Sequence, residues 1–409
     1  MVRLCVVGFR GYGSVLADVI LRNREKLNCR LVAAAEMLMS ECTEFAKRLS
    51  DNGVALYDDA IKMFDEMQGK CDAVYIGSGI SSHEPLTIAA VQRGFHVHVE
   101  KPPAATVQEV DRMLEAVTKH RRLCVVGFQA VHSDNIRFIK DRLLSGKLGQ
   151  IQAITCRTGW PRGASYYSRN NWAGKLRLGD RWVLDGPATN ALAHQITNLL
   201  LLASEHPYRL ARPVAVRAEL YATGSVEAHD TAAIEIRTDA GPTVHFLATL
   251  CPESKYGPVL EVIARKGKAV YNYGGATEIT YADGTSQTCP SDPTHGQDNM
   301  LAEFVDAIRT DDATNLRCDL ANARMMTLAV NAAHESSGRI HRIPDSFCHL
   351  KKRGTTDQFV VIDGIDDLMA RSVENACLLS DSPGAPAWTV ATKPFDLAGY
   401  AGFPQQFQC

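Results

Sequence analysis

A chain of 409 residues, 45% apolar and 22% charged, is long enough for two domains with ordinary cores. Its formal net charge of −2 supplies no basic field for nucleic acid or an anionic membrane. The most apolar stretch, 188–203, is broken by Asn190, His194, Gln195 and Asn198, which argues against a membrane span.

Strand-like Leu4-Cys5-Val6-Val7 follows the start at once, so no signal peptide is expected. From there to about residue 125, short β-rich runs alternate with amphipathic helical ones. The strands are expected at Leu4 to Val7, Leu31 to Ala35, Ala73 to Ile76, Phe95 to Val99 and Leu123 to Val126; the helices include Ser14 to Leu27, Cys42 to Asp51 and His83 to Arg93. This alternation predicts βαβ units, a parallel sheet and an α/β first domain over 1–125. After about residue 150 longer strands are expected: Ile151 to Trp160, Val214 to Thr223, Thr231 to Arg237, Thr243 to Leu250 and Val259 to Tyr273. They predict an open antiparallel sheet in an α+β domain over 126–345, with a hairpin at Asp283-Gly284 and helices from Asp298 to Arg309 and Asp319 to His334. The stretch from Asp381 to Phe403, rich in Gly, Pro and aromatics, reads as irregular chain; 346–409 is expected to pack on the domains or on a neighbouring subunit. Twelve scattered cysteines without a C-x-x-C pair predict free thiols in a reducing compartment, hence a cytoplasmic protein.

The turn after the first strand, Gly8-Phe9-Arg10-Gly11-Tyr12-Gly13, is a G-x-G-x-x-G pattern with Arg10 at the middle glycine. Placed between a strand and a helix, it predicts a pyrophosphate site, against the plainer reading of a tight βα turn. Glu36, 23 residues past Gly13 at the end of the second strand, can accept from ribose hydroxyls and would repel a 2′-phosphate. NAD is therefore favoured over NADP, with Arg10 as a cation that could compensate; the plainer reading of Glu36 is a solvated strand end. His96, His98 and Glu100 alternate on one strand at a chelating spacing, but ordinary packing is favoured and no metal is expected.

Farther on, Asp185-Gly186-Pro187 reads as a helix start, and Asn190, His194, Thr197 and Asn198 fall on one line of an otherwise apolar helix. A line of amides, hydroxyl and imidazole suits a polar cleft; the alternative is a solvent-facing stripe. Upstream, Tyr167, Arg169, Trp172 and Lys175 combine stacking and hydrogen-bonding groups as a sugar site needs, and Arg169 or Lys175 suits a carboxylated sugar. A loop that packs between domains or subunits explains them equally well.

The run Phe95-His96-Val97-His98-Val99-Glu100-Lys101-Pro102-Pro103-Ala104-Ala105-Thr106, with Gly8 to Gly13, resembles the Gfo/Idh/MocA family of glucose-fructose oxidoreductase and inositol dehydrogenase relatives. Asp72-Ala73-Val74-Tyr75-Ile76 leading to His83, Val125-Val126-Gly127-Phe128-Gln129, and Ser145-Gly146-Lys147-Leu148-Gly149 extend the likeness to about residue 340. The resemblance implies a Rossmann dinucleotide domain, then a substrate-binding and oligomerisation domain, with substrate at the carboxyl ends of the parallel strands. It implies a homodimer or homotetramer. It implies Gly8, Arg10, Gly11, Gly13, Glu36, Ser78, His83, Glu100, Lys101 and Gln129 around the cofactor. Lys101 inherits a place beside the reacting hydroxyl, and His194 that of proton acceptor. Asn190 stands where the family carries an aspartate. The implied activity is NAD-dependent oxidation of a secondary alcohol in a sugar, cyclitol or related polyol. Rivals are NAD-dependent glycoside cleavage by transient oxidation and elimination, and a dinucleotide-binding regulator without catalysis.

Overall fold

The computed structural model describes residues 1–224, 226–291, 295–353 and 357–409. The chain forms two compact units. The first comprises Met1–Ala104, Gln108–Ser133 and Thr294–Arg324; the second comprises Ala105–Val107, Asp134–Pro293 and Met325–Cys409.

The first unit is built on a six-stranded parallel sheet: β1 (Val2–Val7), β2 (Cys29–Ala35), β3 (Ala55–Tyr57), β4 (Ala73–Ile76), β5 (His96–Val99) and β6 (Cys124–Val126). Its order, β3-β2-β1-β4-β5-β6, reverses between β1 and β4, which opens the crevice where doubly wound sheets take their ligands. The strands are mainly apolar, as strands covered on both faces are, with Arg3 and Arg30 near the starts of β1 and β2 and two histidines on β5. Helix Tyr12–Leu27 lays Leu16, Ala17 and Ile20 against Leu4 and Val6. The far-removed helix His295–Thr310 belongs to the same core through Leu301, Phe304 and Val305, and Arg22 grips Asp298 at 2.6 Å.

The second unit contains a ten-stranded sheet. Its strands are β7 (Ile151–Gly159), β10 (Pro213–Ala222), β11 (Thr231–Thr238), β12 (Thr243–Thr249), β13 (Tyr256–Ala264), β14 (Gly267–Asn272), β15 (Thr277–Tyr281), β16 (Ser286–Cys289), β17 (His341–Arg342) and β20 (Phe395–Asp396). Two short hairpins lie outside it: β8 (Arg177–Leu178) with β9 (Arg181–Trp182), and β18 (Cys348–Arg353) with β19 (Asp357–Ile362). The sheet is largely antiparallel, as expected, with two parallel pairings, β12 with β7 and β10 with β17, that make it mixed. The single strand expected from Val259 to Tyr273 is two, β13 and β14, reversing at Arg265-Lys266. Gly267, the first residue of β14, lets β15 come close, because a Cβ there would lie 2.5 Å from the Thr280 carbonyl oxygen.

One face of this sheet presents Val216, Ala218, Leu220, Ile234, Phe246 and Cys156, all buried on the side of helix Ala193–Ala203. The other face receives the C-terminal segment: Ile362, Ile365, Leu368, Met369, Leu378 and Trp388 form a core with Tyr221, Ala233 and Leu247. On that face Glu219 is fully buried and accepts from the Ser380 hydroxyl at 2.5 Å, while Arg217 pairs with Asp381. All twelve cysteines are free thiols. Among the described residues no helix is long and apolar enough to cross a membrane.

Candidate active site

In the first unit the glycine turn is fixed by close approach. Gly8 has φ +78°, and a Cβ on it would sit 2.9 Å from the Ser78 nitrogen. A Cβ on Gly13 would fall 1.6 Å from the Gly8 carbonyl oxygen, so helix Tyr12–Leu27 can start against β1 only without a side chain there. Gly11, with φ +92°, precedes that helix, whose first turn holds no acidic residue. Its positive end is thus unopposed by any carboxylate of its own first turn, which suits an anion.

Arg10, at the irregular middle position, is exposed and pairs through its guanidinium with Glu41. Its backbone N–H donates to Glu36 Oε2 at 3.1 Å, and the Leu38 N–H donates to Oε1 at 3.1 Å. The Glu36 carboxylate is held at the end of β2 by both oxygens, each keeping a lone pair for a further donor. Glu41 engages the guanidinium of Arg10, the cation a 2′-phosphate would use.

Across the turn, Glu100 is buried and accepts the Lys101 N–H at 3.2 Å. A Cβ on Gly127 would lie 2.3 Å from Glu100 Oε1, so glycine there makes room for the carboxylate. Lys101 is half-buried just past the carboxyl end of β5. His83 is 1% exposed, with Nδ1 2.8 Å from the Pro102 carbonyl and Nε2 3.0 Å from that of Ser78. Burial lowers its pKa from the usual histidine range. A neutral ring donates from only one of these nitrogens, so His83 holds either the Pro102 or the Ser78 carbonyl beside the proposed cofactor side. Ser78 Oγ lies 2.6 Å from Ser82 Oγ. Gln129 donates to the Tyr12 hydroxyl at 3.0 Å, while its Oε1 is buried with no hydrogen-bond partner among the described residues. In the His96–His98–Glu100 run, His96 Nδ1 accepts the Leu123 N–H at 2.9 Å, His98 stacks on Tyr75 at 4.3 Å, and His98 Nε2 lies 3.8 Å from Glu100 Oε1.

In the second unit Pro187 opens the turn Pro187–Ala191, a π-helical turn that breaks at Leu192 before helix Ala193–Ala203. Asn190 and His194 are half-buried. Thr197 and Asn198 are wholly buried and bond within the helix, to Ala193 O at 3.3 Å and Gln195 Oε1 at 3.4 Å. Of the polar line, only Asn190 and His194 are left partly exposed.

The residue missed on sequence is Asp185, where Asp-Gly-Pro reads only as a helix start. It is 2% exposed; Oδ1 accepts from Asn190 Nδ2 at 3.0 Å and Oδ2 from the Gly174 N–H at 2.7 Å. Arg169 Nη2 lies 3.8 Å away. One buried carboxylate thus joins the turn carrying Asn190 to the aromatic loop. In that loop Arg169 lies over Tyr166 at 3.6 Å and Trp172 at 5.1 Å, and Arg162 over Tyr166 at 4.7 Å and Trp160 at 5.6 Å. Tyr166, not singled out on sequence, is the ring between both guanidiniums. Burial pushes the Tyr167 phenol well above its usual range, Trp172 is half-buried and Lys175 is exposed.

A doubly wound sheet with a glycine turn, followed by an open mixed-sheet unit, is a Rossmann-type two-unit architecture. The chain belongs to the Gfo/Idh/MocA family. Residues 2–128 match its "Oxidoreductase family, NAD-binding Rossmann fold" and residues 136–270 its "GFO/IDH/MocA C-terminal domain". The chain is 26% identical over 202 residues to an inositol 2-dehydrogenase of Azotobacter vinelandii, a match covering 49% of this chain and 54% of that protein. A Burkholderia ambifaria inositol 2-dehydrogenase is 25% identical over 74% of this chain and 86% of its own. The chain spans about half the length of the first of these relatives. Among solved structures, levoglucosan dehydrogenase with NADH and levoglucosan superposes with a TM-score of 0.69 at 18% identity, over 82% of this chain and 96% of that one. The WlbA dehydrogenase of Bordetella pertussis, with NADH and UDP-GlcNAcA, gives 0.68 at 18% identity over the same shares.

Proposed function

We propose that the protein is an NAD-dependent dehydrogenase acting on a secondary alcohol of a sugar, cyclitol or related polyol, or the reverse reductase. The observation that carries this reading is Lys101, placed at the carboxyl end of β5 in the unit whose glycine cradle fits a pyrophosphate. The cradle, Glu36 and the unpartnered Gln129 Oε1 would hold the cofactor, which when bound accepts the hydride. The Lys101 ammonium polarises the substrate hydroxyl and stabilises the oxygen as its proton leaves. His194 takes that proton, and Asn190, anchored to Asp185, orients the imidazole or the substrate. Tyr167, Arg169, Trp172 and Lys175 offer the aromatic and donor groups a polyol needs. In this reading residues 1–125 bind the dinucleotide, 126–345 bind substrate and a like subunit in a homodimer or homotetramer, and 346–409 pack on them. The enzyme works in the cytoplasm. The names of the relatives, inositol 2-dehydrogenases above all, support the substrate class.

Purified protein is to be assayed for NADH formation against sugars, inositols and sugar acids, beside Lys101→Ala. Turnover of at least one polyol is expected, with kcat about 10²- to 10⁴-fold lower in the variant and NAD affinity retained. Turnover without NADH accumulation would indicate transient oxidation. NAD binding with no turnover anywhere in the panel would indicate a regulator, and wild-type kcat in Lys101→Ala removes the lysine from the chemistry.

A further inference from the structure

The last residues of the chain are held by a buried charge. Glu335, fully buried near the end of helix Leu320–Ser337, accepts from the Tyr400 hydroxyl at 3.0 Å. It also accepts from the backbone N–H groups of Gln405 at 2.6 Å, Gln406 at 2.8 Å and Phe407 at 2.9 Å. A carboxylate this deep is tolerated only when donors surround it, and here they come from chain 65–72 residues further on. The clamp fixes where the tail's aromatic side chains go.

Phe403 and Phe407 meet Trp182 edge-on, with centroids 5.0 and 6.4 Å away. Trp182 lies on β9, in the hairpin that follows the aromatic loop. The same two rings meet His334 at 5.9 and 5.1 Å, and His334 meets His229 at 5.3 Å. His229 in turn fills the space beside Gly186, where a Cβ would come within 2.4 Å of the imidazole. Gly186 immediately precedes the turn that carries Asn190. A packed path therefore runs from the C-terminus to both substrate-side elements, the loop and the turn.

We propose that residues 400–407 are positioning residues for the substrate: clamped by Glu335, they set the aromatic loop through Trp182 and the Asn190 turn through His334 and His229. The inference rests on the polyol reading for its substrate class, and on the geometry alone for the coupling of tail to loop.

The test compares full-length protein with Phe407→Ala, Glu335→Ala, the conservative Phe407→Tyr, and a chain ending at Gly402. Three readouts are taken: NAD affinity by titration, KM and kcat for the best polyol, and the rate of trypsin cleavage after Arg169, Lys175, Arg177 and Arg181. Phe407→Ala and the shortened chain are expected to keep NAD affinity within twofold, raise KM at least tenfold with kcat less affected, and speed loop cleavage at least tenfold. Phe407→Tyr should remain near wild type. Wild-type KM and cleavage rate in Phe407→Ala would overturn the proposal, as would parallel loss of NAD binding and loop protection in every variant. If the wild type turns over no polyol, the substrate class falls, while the cleavage rates still decide whether the tail holds the loop.

Discussion

Asp185 offers the sharpest test of how the second unit is organised. Its two oxygens accept from Gly174 N–H and Asn190 Nδ2 in a site almost closed to water. Asp185→Ala strands both donors, at about 1–3 kcal/mol each, so a loss of about 2–6 kcal/mol is expected. Asp185→Asn is different. Its amide oxygen can keep the Gly174 bond, and the Asn190 amide can turn over to accept from the new amide nitrogen, so stability should fall by only about 1 kcal/mol. The charge is nevertheless gone and Asn190 now presents its opposite face, so kcat/KM should fall at least tenfold. In the double variant Asp185→Asn, Asn190→Asp the carboxylate sits on the turn and donor again meets acceptor. Much of the lost kcat/KM should return. Urea denaturation and steady-state kinetics on the best polyol measure the two quantities separately. The reasoning is refuted if Asp185→Ala costs under 1 kcal/mol, or if Asp185→Asn works at the wild-type rate.

Much of the first unit was legible in the sequence because its strands are short apolar runs at the even spacing of βαβ units. β3 was not, since Ala55–Tyr57 is three residues long and only partly buried. The β13–β14 reversal was hidden because residues on both sides of Arg265-Lys266 favour strands. The parallel pairing of β12 with β7 joins segments about 90 residues apart, and no local pattern carries it. At the site, Lys101 stands in a motif that reads along the chain. Asp185 and Glu335 do not: each is an ordinary acidic residue in one dimension, and acquires its role from donors that folding brings to it. His83 is legible as a histidine in the motif, but that folding buries it with a backbone carbonyl near each ring nitrogen is not.

Two predictions remain, one for each unit. Glu36→Ala should weaken NAD by about 10- to 100-fold, the worth of charge-assisted hydrogen bonds to ribose hydroxyls, and narrow the gap to NADP. Calorimetric titration of both coenzymes decides it, and a wild-type preference for NADP would refute the role given to Glu36. The second concerns acid stability. Burial holds His334 down at about 4, against an ordinary value of 6.5, although its Nδ1 meets the Val330 carbonyl, and burial lowers neighbouring His229 as well. Between pH 6.5 and 4 the unfolded chain binds a proton at His334 that the folded chain refuses, so stability rises with pH across that window. Acidification from 6.5 to 4 should therefore cost about 3 kcal/mol at this one residue, from 1.36 kcal/mol per pKa unit. His334→Phe keeps a ring against Phe403 and Phe407 but removes the titrating group. Urea midpoints at pH 7, 5.5 and 4.5 should fall less steeply in the variant, with the residual slope owed to His229 and the carboxylates. Equal slopes in the two proteins would mean that His334 already takes up its proton in the folded state, and that the ring cluster beneath the tail admits water.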